Sequence, residues 1–159
     1  MKISIIAVGK IKEKYFLDAI SEYKKRLQAY AEIEIIEVAD EKIPDKASLK
    51  EEELIKRKEG DKLLQKIKKN DFVVLLDLHG KAMDSVSFSN FLDNKMTEGV
   101  SFFSFVIGGS LGLSKEVIER ANFRLCLSPM TFTHQFTRVI ILEQIYRAFK
   151  ILHHETYHK

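Results

Sequence analysis

The 159 residues carry 26 basic and 23 acidic side chains, a net charge of +3, with 45% hydrophobic and 31% charged residues. That is a globular composition, and a chain of this length buries roughly two thirds of its unfolded surface in one core, so a single domain over residues 1–159 is predicted. It excludes a membrane span, which needs about 20 apolar residues in a row, and the mild net charge is compatible with a nucleic-acid partner without pointing to one.

The amino terminus enters a strand pattern at Ile3 to Val8, closed by Gly9, with no small-residue cleavage site. This predicts a chain without a secretory leader, working in the cytoplasm. Tyr15, Phe16, Ala19, Ile20, Tyr23 and Leu27 recur at helical spacing, and Lys24, Lys25 and Arg26 form a basic cluster at the end of that helix. Ile33 to Val38 reads as a second strand and Asp40 to Ser48, with Pro44, as a polar loop. Leu49 to Lys68 reads as a charged helix with a narrow apolar stripe through Leu54, Ile55, Leu63, Leu64 and Ile67. Gly60 interrupts it at about 1 kcal/mol against alanine. Phe72 to Leu76 is a third buried strand, followed by a polar turn from Asp77 to Lys81 and a helix from Ser87 to Met96.

The stretch from Phe102 to Leu113 organises the second half of the chain. Phe102 to Ile107 is β-branched or aromatic except at Ser104, which predicts a strand buried on both faces and hence a parallel sheet. Gly108 and Gly109 supply a turn without a Cβ, where backbone N–H groups can approach a ligand. Ser114 has the character of an N-cap for a short helix. A fifth strand runs from Phe123 to Leu127 and holds Cys126, the one cysteine, as a buried core thiol. The loop Ser128 to Thr133 and a long helix from His134 to Leu152 complete the chain. Five strands alternating with helices predict an α/β fold: a mostly parallel sheet covered by helices on both faces. Leu76 to Gly80, Gly108 to Gly112 and Ser128 to Thr133 each follow a strand, so their backbones converge on one cleft. There is no GxxxxGK[ST] and no GxGxxG after the first strand, which argues against a triphosphate and an ordinary dinucleotide site.

Several segments resemble one family. Phe105-Val106-Ile107-Gly108-Gly109-Ser110, Ser128-Pro129-Met130-Thr131, His134-Gln135, Arg138-Val139, Glu143-Gln144-Ile145-Tyr146-Arg147-Ala148 and the terminal Tyr157-His158 are similar to the ribosomal large-subunit methyltransferase H family, as is the opening Ala7-Val8-Gly9-Lys10. The resemblance covers the whole chain at matching length. It implies a SPOUT methyltransferase with a carboxyl-terminal trefoil knot, working as a homodimer. It further implies that S-adenosylmethionine is the methyl donor and N3 of a pseudouridine in 23S ribosomal RNA the acceptor, with no metal and no membrane. Carried over by position, Leu76, Gly108, Leu127, Ser128, Pro129, Met130, Thr131 and Phe132 would hold the cofactor. Arg147, Tyr157 and His158 would be catalytic, with His134 and Arg138 toward the RNA. Two departures stand out: Thr133 and Thr156 occupy positions where the family commonly has proline, which predicts a looser cofactor loop and tail.

Arg147 suits a uridine carbonyl or phosphate through its planar fork. His158 suits acceptance or relay of the N3 proton, since an imidazole is the side chain made for proton exchange near neutrality, and Tyr157 suits stacking on the base. Arg138 has a competing reading as a helix-surface ion pair with a nearby carboxylate, and His134 as a cap of the last helix. Two other functions compete. His154-Glu155-Thr156-Tyr157-His158 spells HExxH, but a zinc peptidase needs a third ligand and a packed helix, and the sequence has one residue left. The other is a non-enzymatic ribosome- or nucleotide-binding module of the same fold.

Overall fold

The computed structural model describes residues 1–159. Its one sheet has the strand order β2-β1-β4-β3-β5, where β1 is Lys2–Val8, β2 Glu32–Val38, β3 Phe72–Ala82, β4 Phe102–Ile107 and β5 Phe123–Cys126. All four pairings are parallel, as the two-sided apolar strands require. The period of two divides each strand between two cores. Ile3, Ile5, Ala7, Phe103 and Phe105 pack with α1 (Lys14–Leu27), α3 (Ser85–Thr97) and α5 (His134–Leu152). Ile6, Val8, Val73, Leu75 and Val106 pack on the other face with Leu63 of α2 (Leu49–Lys66) and Val117 of α4 (Lys115–Arg120). The fold is α/β with both faces covered, and Cys126 is buried in it.

Caps set the helix starts. Ser48 and Glu51 form a reciprocal capping box at α2, Asp84 caps α3, and Ser114 caps α4 by accepting the Val117 N–H. Thr133 caps α5, accepting the Phe136 N–H at 3.3 Å. Thr133 therefore takes the capping role, and His134 is the first helical residue instead of the cap.

Two stretches depart from the sequence reading. The third strand continues past the turn at Asp77, because Lys81 and Ala82 pair with Leu125 and Cys126 after a register break. Gly80 permits this return, since a Cβ there would lie 2.6 Å from the Arg124 backbone. Gly60, which only weakens an isolated helix, is needed here: a Cβ would meet Ser114 Oγ at 2.2 Å. It lets α2 lie flush against the start of α4.

Candidate active site

A cleft of about 500 Å³ opens at the carboxyl ends of β3, β4 and β5. Leu76, Gly108, Leu127, Ser128, Met130, Thr131 and Phe132 line it, as does His134, whereas Pro129 does not. The three strand ends thus meet because β5 pairs with β3 and β3 with β4.

The glycine turn is built differently from its expected form. Neither Gly108 nor Gly109 has a positive φ; the left-handed residue is Gly112, at φ +92°, whose N–H donates to Gly109 O at 3.0 Å. A Cβ at Gly108 would meet the Leu113 side chain at 2.9 Å, and one at Gly109 would meet Glu59 Oε1 at 2.6 Å. Protein atoms, from Leu113 in the cleft wall and from Glu59 on α2, limit the space at both glycines, a reason independent of any ligand. In the neighbouring loop, Ser128 Oγ accepts the Met130 N–H at 3.0 Å, closing an ST-turn that leaves Met130 exposed. On the opposite wall Asp77 accepts from Arg124 Nε at 2.7 Å and from the His79 N–H at 3.0 Å.

His134 is half-buried in the cleft wall, and burial, then the nearby Arg138 charge, pushes its pKa down. It is a neutral imidazole near pH 7. Arg138 is not a surface group. It is 1% exposed, with Nη1 donating to Glu37 Oε2 at 2.6 Å and Nη2 to the Val8 and Gly9 carbonyls at 3.0 and 2.8 Å. Glu37 Oε2 also accepts the Ile11 N–H at 2.8 Å. The RNA contact expected of Arg138 is corrected accordingly: its guanidinium ties α5 to the ends of β1 and β2.

Arg147, Tyr157 and His158 come together, but apart from the cleft, whose walls include none of them. Tyr157 packs edge-on against Tyr146 at 4.9 Å, and its hydroxyl donates to Glu143 Oε1 at 3.1 Å. Arg147 Nε donates to the same oxygen at 3.0 Å, and its guanidinium lies 4.7 Å from the Tyr157 ring centre. Burial, then neighbouring Tyr23 and Glu143, raises the Tyr157 pKa, so the phenol stays protonated. Arg147 Nη1 and His158 Nδ1 are 3.3 Å apart. Arginine cannot accept, so Nδ1 accepts and a neutral His158 carries its proton on Nε2. Glu143, given no role from sequence, centres this group; its i,i+4 spacing to Arg147 was the available signal.

The HExxH segment lies outside a helix. α5 ends at Leu152 and His154 has φ +54°, so His154 and His158 are not one helical turn apart. Glu155 accepts from Tyr30 Oη and Lys150 Nζ instead.

Comparison with known proteins places this architecture. The family described as "Predicted SPOUT methyltransferase" matches residues 1–158. Proteins named ribosomal RNA large subunit methyltransferase H from Clostridium acetobutylicum and Clostridium botulinum are 58% and 59% identical over 159 residues, covering 100% of both chains. The chain belongs to this SPOUT methyltransferase family. A probable methylase family protein from Haemophilus influenzae shares the fold at TM-score 0.53 and 10% identity, over 99% of this chain and 70% of its own. Membership makes the cleft the place to look for a methyl donor, and its walls fit one. Its volume falls in the usual range for small-ligand sites, roughly 300–1,000 Å³. Leu76, Leu127 and Phe132 supply apolar surface, and the turn from Gly108 to Gly112 supplies backbone polar groups without bulky side chains. The non-enzymatic reading is not favoured, since the matched relatives carry an enzyme's name.

Proposed function

We propose that this chain methylates N3 of a pseudouridine in 23S ribosomal RNA, using S-adenosylmethionine bound in the cleft at the ends of β3, β4 and β5. Bound there, the cofactor supplies an electrophilic methyl on a sulfonium. The chain's own residues position, desolvate and manage one proton. Leu76, Leu127 and Phe132 would hold the apolar part of the ligand, while Gly108 and the loop 128–132 would offer backbone groups to its polar part. Neutral His134 hydrogen-bonds to a base or ribose of the RNA without pairing with phosphate. Arg147 faces a uridine carbonyl or phosphate oxygen, and the protonated Tyr157 stacks on the base. His158 relays the N3 proton. Its Nδ1 is engaged by Arg147, so it becomes an acceptor only when the arriving RNA draws that guanidinium away.

The observation that carries this reading is the separation of two halves of a site on one chain. The cleft holds the expected cofactor residues, and the Arg147–Tyr157–His158 group lies outside it. A homodimer that sets one subunit's tail against the other's cleft joins them, and the exposed Phe136 and Tyr15, beside Phe16, offer an apolar surface for it. The carboxyl-terminal trefoil knot and a cytoplasmic location belong to the same proposal. Calorimetry with S-adenosylmethionine, then transfer of a labelled methyl group to ribosomes lacking this modification, tests it. Micromolar binding and incorporation at one pseudouridine are expected; no binding at about millimolar cofactor would sink the reading.

A further inference from the structure

Glu59 is the charged group in this structure that neither packing nor the proposed chemistry explains. It lies on α2, 4% exposed, with its side chain against Gly109. Its Oε2 accepts the Glu41 N–H at 3.0 Å, its one side-chain hydrogen bond. No cation pairs with it. Lys62, the cation whose charge acts on Glu59, donates to Glu41 Oε1 at 2.8 Å and Ala39 O at 3.0 Å. Asp40 and Glu41, the other charged groups facing Glu59, are anionic. Burial is therefore the largest influence on its carboxyl and pushes the pKa up, with Asp40 adding to the rise. A buried carboxylate without a counter-charge is expensive, and chains keep such a group where something else completes it.

The surroundings say what completes it. Glu59 Oε1 sits 2.6 Å from where a Cβ of Gly109 would be, and Gly109 lines the cleft. One glycine, without a side chain, separates this carboxylate from the cleft. The other charges on the cleft are already matched: Asp77 by Arg124, and Lys56 by Glu53 at 2.6 Å.

We propose that Glu59 is the built-in counter-charge for a cation held at Gly109, so that the cleft prefers the sulfonium cofactor over the neutral thioether left after methyl transfer. This rests on the cofactor reading above. The two ligands differ by one methyl group and one positive charge, so shape gives little discrimination and charge gives much. In a buried setting, a unit charge a few ångströms away changes affinity by at least about tenfold. Transfer of the methyl removes the charge, and product affinity falls when release is needed. Glu59 acts through the field at Gly109 and is a positioning residue, not a catalytic one. Where Glu59 is protonated before binding, the arriving cation favours its ionised form, and the carboxyl proton passes to solvent.

The test compares S-adenosylmethionine with S-adenosylhomocysteine by calorimetry, using the full-length wild type and Glu59→Gln. The variant keeps the shape and the acceptor for the Glu41 N–H while removing the charge. Sulfonium affinity is expected to fall about tenfold in Glu59→Gln and thioether affinity to stay within about twofold. Equal losses for both ligands would assign Glu59 a packing role only and overturn the proposal, as would no change for either. In the wild type the sulfonium-to-thioether affinity ratio should rise with pH as the Glu59 carboxyl ionises, and the Gln variant should lose that rise. If Glu59→Gln does not fold, wild-type titrations in two buffers of different ionisation enthalpy decide. Proton release with the sulfonium but not the thioether supports the proposal; equal release overturns it. Failure of both ligands to bind wild type would instead overturn the cofactor reading.

Discussion

The Tyr30 hydroxyl donates to both Glu155 carboxylate oxygens, at 2.9 and 2.8 Å, across 125 residues of sequence. Tyr30 also stacks on Phe149 at 5.3 Å, and Lys150 completes the group by pairing with Glu155. The turn after α5 is thereby held at the corner between α1 and β2, which aims Tyr157 and His158 back along α5. Tyr30→Phe should lower methyl transfer about fivefold, the scale of one lost charge-assisted hydrogen bond. Cofactor affinity should not move, since none of these residues lines the cleft. Lys150, then Tyr30, holds the Glu155 carboxyl below its usual range. The network's contribution is therefore present above the ordinary carboxylate pKa and lost as pH falls through the lowered one. Histidine resonances of His158 followed during acid titration check this.

Gly108→Val should weaken cofactor binding at least tenfold, or about 1.4 kcal/mol, by driving Leu113 and the turn out of place. The contact is with the Leu113 side chain at 2.9 Å and Gly112 O at 3.1 Å. Adding Leu113→Ala should recover part of the affinity. Recovery would locate the effect in packing between the turn and Leu113; its absence would locate it in direct contact with the ligand.

Arg138→Met should destabilise the fold by about 3 kcal/mol or more, because Glu37 loses its charge partner and two carbonyls lose their donor. Arg138→Lys should recover little, since an ammonium cannot reproduce the fork. Urea midpoints measure both. Unchanged stability with weakened RNA binding would return Arg138 to a surface role.

A chain lacking residues 157–159 should bind cofactor yet transfer no methyl, whereas Gly108→Val should fail at the cofactor step. Co-refolding the two should restore partial activity, because one site in each mixed dimer then has an intact loop and an intact tail. Mixed dimers verified by mass and still inactive would mean that the tail serves its own subunit.

Glu59→Gln should raise the melting temperature of the ligand-free protein at neutral pH, and the gain should vanish in acid. The sign follows from the raised carboxyl pKa: stability linked to its proton is full below the unfolded value and is lost as pH climbs through the folded one. Paired melts of wild type and variant across the acid range measure it.

Much of this architecture was legible in one dimension. Alternating and continuous apolar runs marked β1 to β5, because a strand's side chains divide between faces whatever its neighbours are. Family likeness named eight positions expected to hold a cofactor, and seven of the eight line one cleft. Contacts across the sheet were not legible. Arg138 is buried because α5 crosses the ends of β1 and β2, a neighbour relation that no local pattern encodes. Gly60, Gly108 and Gly109 read as a helix defect and a ligand turn, yet each makes room for a side chain from elsewhere in the chain. Glu59 falls outside the apolar stripe read on α2, and nothing in that pattern marked it as buried. Residue order along the chain is enough to say which segments fold and which face of each is apolar, since those depend on periods of two and 3.6 residues. Which charges lose water and which glycines are irreplaceable was settled in three dimensions, because burial and close approach are properties of pairs brought together by strand order.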